Sequence, residues 1–257
     1  GKVRPAVAGE LRTIPTLRNA YSVVTLWLSI GLCWWLVGSI GHPLAWVAGF
    51  VWVGRCFSLL FILHHEAAHA LLFPSRRLND LVGRYLLGAA AIVDFDLYRD
   101  VHITHHRDEL GPEEPDIGLY VGYPSGMGRF LRRLGRDAMG RSAIKQLRTL
   151  SRRPKATVAR IALAQPIVAG VMWLLTGYWW AWLVLWFLPW ATVWQVGNRL
   201  RAVAEHAGLE RSEDRRANTH VVRQTWLPKR WLAPYNSGFH LAHHIDTDDD
   251  AMPTQRC

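Results

Sequence analysis

The chain has 257 residues, half of them hydrophobic, with fourteen tryptophans and a formal charge of +10, a greasy and basic mixture that argues against an ordinary soluble domain and for a membrane protein. Its three cysteines, Cys33, Cys56 and Cys257, are too few and too scattered for a disulfide framework and form no metal-thiolate motif. Ten Lys/Arg fall between Arg129 and Lys155 with only Asp137 opposing them; beside membrane spans, headgroup attraction accounts for such a run, so no nucleic acid partner is expected.

Residues 1–20 form a basic lead-in, and the apolar run after it is too long for a cleavable leader, so the first span is its own insertion signal. Tyr21 to Gly41 is 21 residues without a charge, long enough to cross a bilayer core of about 30 Å. Gly41-His42-Pro43 predicts a tight turn, and Leu44 to Leu63 a returning span interrupted only by Arg55. Arg55 stands roughly 15 Å up that span from His65, and is expected to snorkel or to pair inside the bundle. The hairpin ends in His64-His65-Glu66-Ala67-Ala68-His69.

Residues 81–95 are apolar but short, an interfacial or re-entrant piece leading to His102-Ile103-Thr104-His105-His106. The Gly- and Pro-rich stretch Gly111 to Gly128 predicts a loop, and 129–155 one or two surface helices. Residues 161–176 and 178–197 form a second hairpin turning at Gly177, with kinks at Pro166 and Pro189. The chain then carries His206 and His240-Leu241-Ala242-His243-His244. Lys/Arg number 4 in 1–20, 15 in 64–158 and 9 in 198–257, with none in the two outer turns; the bias puts both termini and every histidine cluster on the cytoplasmic side. Trp34, Trp35, Trp46, Trp179, Trp180 and Trp182 are expected near the outer turns as an aromatic belt. The predicted fold is therefore all-α and integral to the membrane. It is a single domain, 1–257, of two transmembrane hairpins (spans 21–41, 44–63, 161–176, 178–197) with a cytoplasmic helical cap carrying the histidines.

On a helix, residues three and four apart share a face, so His65/His69, His102/His105/His106 and His240/His243/His244 each direct imidazoles into a common space. Neutral imidazole suits zinc, copper, iron or nickel. Eight inward histidines exceed the four ligands of one zinc, which argues for two metals.

One H-x-x-x-H box and two H-x-x-H-H boxes at the cytoplasmic ends of hairpin helices resemble the integral-membrane fatty acid desaturases and hydroxylases, from about Tyr21 to His244. The resemblance implies a non-haem di-iron centre held by His65, His69, His102, His105, His106, His240, His243 and His244, with zinc possible in recombinant protein. His206, in Ala204-Glu205-His206-Ala207-Gly208, is similar to the extra histidine of bacterial members, and Asn236 fits an N-x-x-x-H-x-x-H-H variant in which it holds a metal-bound water. Glu66 is then a candidate for orienting a ligand. His64 fits the alternative H-x-x-x-x-H spacing, and the acidic run Asp246, Asp248, Asp249, Asp250 departs from the family's apolar segment. The implied activity is dioxygen-dependent desaturation of a fatty acyl or lipid chain, with hydroxylation or another oxygenation as the alternative. The implied setting is a bacterial inner membrane, and the partners are membrane lipids and a separate electron donor such as ferredoxin or rubredoxin. From the residues alone, His65-Glu66-Ala67-Ala68-His69 also satisfies H-E-x-x-H, the motif of a zinc metalloprotease whose glutamate is general base. A non-enzymatic haem or metal carrier would have no need of H-x-x-H-H twice.

Overall fold

The computed structural model describes residues 13–222, 225–231, 234, 240, 241 and 244, and only the backbone of residues 215, 227 and 228. Asn236, His243, Cys257 and the acidic run after His244 lie outside the described residues. Among those described, the chain is all-helical. Helix α1 (Thr16–Ile40) and helix α2 (Pro43–Ala68) form the first hairpin. Gly41 ends α1 at φ 65, in the left-handed region that glycine enters without cost. His42 caps α2, its Nδ1 accepting from the Leu44 amide at 3.2 Å, and Pro43 occupies the first helical position. The two helices are longer than the apolar runs predict, because polar residues continue each helix beyond its apolar part. Together with α8 (Lys155–Thr176) they are long and apolar enough to cross a membrane.

The fourth apolar stretch is helical from 181 through 206 but is not one regular α-helix. Two π-helical segments, Leu183–Phe187 and Trp190–Trp194, flank Pro189 before α9 (Gln195–His206) begins. Proline cannot donate its backbone bond and displaces the preceding turn, and π segments are a common way for a helix to absorb such a break.

Between the hairpins lie α3 (Arg76–Leu81), a π-helical turn (Val82–Ala89) and α4 (Phe95–Arg107), which bears the second box. The predicted loop 111–128 contains one short helix, α5 (Ile117–Tyr120), and the basic stretch is two helices, α6 (Met127–Ala138) and α7 (Arg141–Ser151). The last described helix is α10 (Trp226–Trp231).

The core of the bundle is aromatic. Trp186 is fully buried against Phe57, Trp34 and Trp27, with ring centroids 4.7, 5.6 and 5.8 Å away, and its indole N–H donates to the Ala90 carbonyl at 2.9 Å. Trp34 thus points inward, not into a belt, whereas Trp35, Trp179 and Trp180 are exposed and Trp46 packs on Trp180 at 4.4 Å. Gly38 lets α1 and α8 touch: a Cβ there would lie 2.5 Å from Thr176 Cα.

Three polar ties set the angle of α4 to the spans. Arg99 donates to the Ala68 and Ala67 carbonyls, at 3.0 and 3.1 Å, and to Asp80 at 2.5 Å, so it holds the last carbonyls of α2. Asn79 donates to the Ala67 carbonyl at 2.8 Å and accepts from the Leu72 amide at 3.1 Å, fixing the chain just after the first box. Asp94 caps α4 through the Asp96 and Leu97 amides, at 3.2 and 3.4 Å, and accepts from Arg153 at 2.7 Å.

Candidate metal centre

The histidines converge as two nests of four. His65 and His69 from the end of α2 meet His102 and His106 of α4; His105 of α4 meets His206 at the end of α9, His240 and His244. In each nest one ring nitrogen per residue lies within 4.8 Å of all the others. The second box is divided between them because successive helical residues are about 100° apart. His102 and His106, four apart, share one face, and His105 is rotated toward the other nest. The nests share a wall, with the His106 and His244 ring centroids 4.3 Å apart.

Within the nests the Nε2 atoms approach closely. His102 Nε2 is 2.8 Å from that of His69 and 3.0 Å from that of His106; His240 Nε2 is 3.0 Å from that of His206 and 2.9 Å from that of His244. Neutral imidazoles have one N–H each, and such convergence on one atom suits a shared cation better than a chain of hydrogen bonds. The donor set therefore fits a metal in each nest.

The outer ring nitrogens are held by acceptors. His105 Nδ1 donates to the Glu114 carboxylate at 2.8 and 2.9 Å, and His244 Nδ1 faces a Glu109 carboxylate oxygen. His206 Nδ1 donates to the Asn218 carbonyl at 3.3 Å, and His65 Nδ1 lies 3.3 Å from Glu66. An acceptor at Nδ1 places the proton there and leaves Nε2 as the ligand. Burial favours the neutral ring at three of the histidines: it pulls His206 down to about 3, His244 to about 2 and His69 to about 4. The positive charge of Arg99 adds to the effect at His69.

Glu66 is thus beside the ring it follows in sequence. His64, whose box spacing left its role open, is in neither nest; it is buried edge-on against Phe95 and Tyr98, with centroids 5.2 and 4.7 Å away. Residue-type reasoning missed Glu109, Glu114, Asp116 and Glu205. Glu205 Oε2 is 3.4 Å from His240 Nε2 and its other oxygen accepts from Arg201 at 2.9 Å. The available signal was the acidic run that follows the second box and the glutamate preceding His206. Replacing Glu114 by Gln is expected to weaken metal in the second nest by about 10–100-fold, because the amide no longer holds the His105 proton as a carboxylate does; titration of metal-stripped protein measures it.

A cavity of about 460 Å³ reaches both nests. His102, His105, His206 and His240 form part of its wall; Phe61, Leu97, Val101 and Trp194 are among its apolar lining, and Asp94, Asp116, Lys145, Arg199, Arg201 and Glu205 among its charged lining. Phe61 and Trp194 stack at 4.0 Å with an interplanar angle of 9° and close one side. Its size is within the range of small-molecule sites, about 300–1,000 Å³.

Residues 41–256 match the family described as fatty acid desaturase. A beta-carotene ketolase of Paracoccus sp. (strain PC1) is 31% identical over 120 residues, 45% of this chain and 48% of that protein. Another, of Paracoccus sp. (strain N81106 / MBIC 01143), is 25% identical over 130 residues, 45% of this chain and 54% of that protein. An endoplasmic reticulum omega-3 fatty acid desaturase of Nicotiana tabacum is 31% identical over 103 residues, 40% of this chain and 25% of that protein. The chain spans about half the length of the ketolases it matches.

Proposed function

The chain belongs to the fatty acid desaturase family, and from that premise we propose that it is a membrane-embedded, dioxygen-dependent oxidoreductase that desaturates an acyl chain. The observation that carries this reading is the pair of four-histidine nests opening on one largely apolar cavity. His65, His69, His102 and His106 would hold one iron and His105, His206, His240 and His244 the other, with His243 and Asn236 retained as further candidates from the third box. When bound, such a pair supplies the oxidation of an unactivated C–H bond, drawing on dioxygen and two electrons.

The rest is work for the chain's own side chains. Phe61, Trp194, Leu97 and Val101 would hold a methylene chain against the nests and keep water out. Glu114 and Glu109 fix the rings of His105 and His244, while Glu66 and Arg201 lie alongside as orienting groups. Tyr98, whose ring stacks on His102 at 5.5 Å, keeps its phenolic proton because burial raises its pKa well above the usual range. Four spans with a cytoplasmic cap, as the Lys/Arg bias argues, would place the cavity at the inner membrane surface. Electrons would come from a separate carrier such as ferredoxin or rubredoxin, for which the basic α6 and α7 offer an opposite charge.

The ketolase relatives favour a second reading, insertion of oxygen into an alkyl chain or ring. One experiment separates the two: expression in a host of known lipid composition under ¹⁸O₂, with mass spectrometry of the lipids. A desaturase yields products two hydrogens lighter without label, and an oxygenase yields labelled products. Lipids unchanged under conditions in which the nests are loaded with iron and a reductant is supplied would refute both.

A further inference from the structure

Away from the metal nests, a second pocket of about 260 Å³ lies where α1 and α2 meet α10. Arg55, Lys229 and Arg230 line it together with Thr25, Leu59 and Trp226. Arg55 is the only charge in the first hairpin between Tyr21 and Leu63, and a charge within an apolar span is costly unless its long side chain reaches the polar headgroup layer. Its Nε donates to the Arg230 carbonyl at 2.9 Å, so the guanidinium ties α10 to the span. Among the described residues no carboxylate forms an ion pair with Arg55, Lys229 or Arg230. Three cations thus surround one cavity with no described anion to offset them.

The surroundings point to lipid. Trp226 is 70% exposed and has the Arg230 guanidinium 5.8 Å from its ring centroid, as expected of a residue in the headgroup layer. Below the pocket, exposed Val24, Leu28, Val51 and Trp52 make an apolar strip on the two spans, the surface against which acyl chains would run. We propose that this pocket binds the headgroup of an anionic phospholipid, with the lipid's tails along that strip. Bound there, the lipid would hold α10 to α2, just ahead of the third histidine box in the chain.

The test is native mass spectrometry of the full chain in mild detergent with phosphatidylglycerol, phosphatidylcholine or inorganic phosphate. Wild-type protein is expected to retain one phosphatidylglycerol in preference to phosphatidylcholine. Each basic residue near an anionic headgroup contributes about fivefold, so Lys229→Gln should weaken retention by about fivefold and Arg55→Gln/Lys229→Gln by about 25-fold. Lys229→Gln leaves the Arg55 to Arg230 bond in place, so its loss of lipid cannot be ascribed to misfolding. Arg129→Gln, on α6, should change nothing. Equal retention of the two lipids, displacement by millimolar phosphate, unchanged retention in both pocket variants, or an equal loss in Arg129→Gln would each overturn the proposal.

Discussion

His244→Ala protein is expected to carry about half the metal of the parent and to lose turnover by at least about a thousandfold, well beyond the 10–100-fold typical of outer-shell partners. The reason is geometric. His240 Nε2 is flanked by His206 at 3.0 Å and His244 at 2.9 Å, so removing one imidazole opens the nest to water and leaves three neutral donors. His69→Ala should do the same to the other nest, where His69 and His106 flank His102. Iron counted by elemental analysis distinguishes the nests: each single variant should keep one metal, and the double variant none. A parent protein holding one tightly bound metal that neither substitution disturbs would defeat the two-metal reading. His64→Ala, which removes a ring outside both nests, should leave the metal count at two and reduce stability instead.

The second large effect sets Glu66 against the histidines. Were His65-Glu66-Ala67-Ala68-His69 a protease motif, Glu66 would activate a zinc-bound water, so Glu66→Gln would abolish turnover while His105→Ala and His244→Ala would spare it. In the structure Glu66 lies 3.3 Å from the outer nitrogen of its neighbour His65, and His65 and His69 share their nest with His102 and His106. The expected pattern is therefore the reverse: Glu66→Gln should cost about 10–100-fold, and either histidine loss should remove the metal of its own nest and with it dioxygen uptake. Dioxygen consumption, lipid products and peptide cleavage measured on the same three variants decide the matter. Peptide cleavage that survives both histidine substitutions without dioxygen uptake would sink the oxidoreductase assignment.

The sequence by itself determined what depends on local spacing and on bulk composition. Twenty-one uncharged residues from Tyr21 to Gly41 can hardly be anything but a long apolar helix, and Gly41 and Gly177 mark where such helices end. The histidine boxes were legible because helical periodicity puts residues three and four apart on adjoining faces, whatever lies around them. The expectation of two metals likewise came from the count of imidazoles. The broken fourth stretch was legible only as a kink at Pro189, since whether the backbone answers with π turns depends on what packs against it.

Tertiary structure alone decided how the imidazoles were shared. The second box could have delivered His102, His105 and His106 to one metal; it divides because the ring of His105 is rotated from those of His102 and His106 and Arg99 ties α4 to the end of α2, where His102 and His106 meet the first box. The Arg99 tie to Ala68 spans 31 positions and the Arg153 tie to Asp94 spans 59, too far apart for local sequence pattern to reveal. For the same reason Glu114, Glu109 and Glu205 read as solvated charges until the fold buries them against ring nitrogens, and Trp34 reads as a belt residue until Trp186 is found beside it. Periodicity is set within one helix, whereas the partners of each face are set by where other helices cross it.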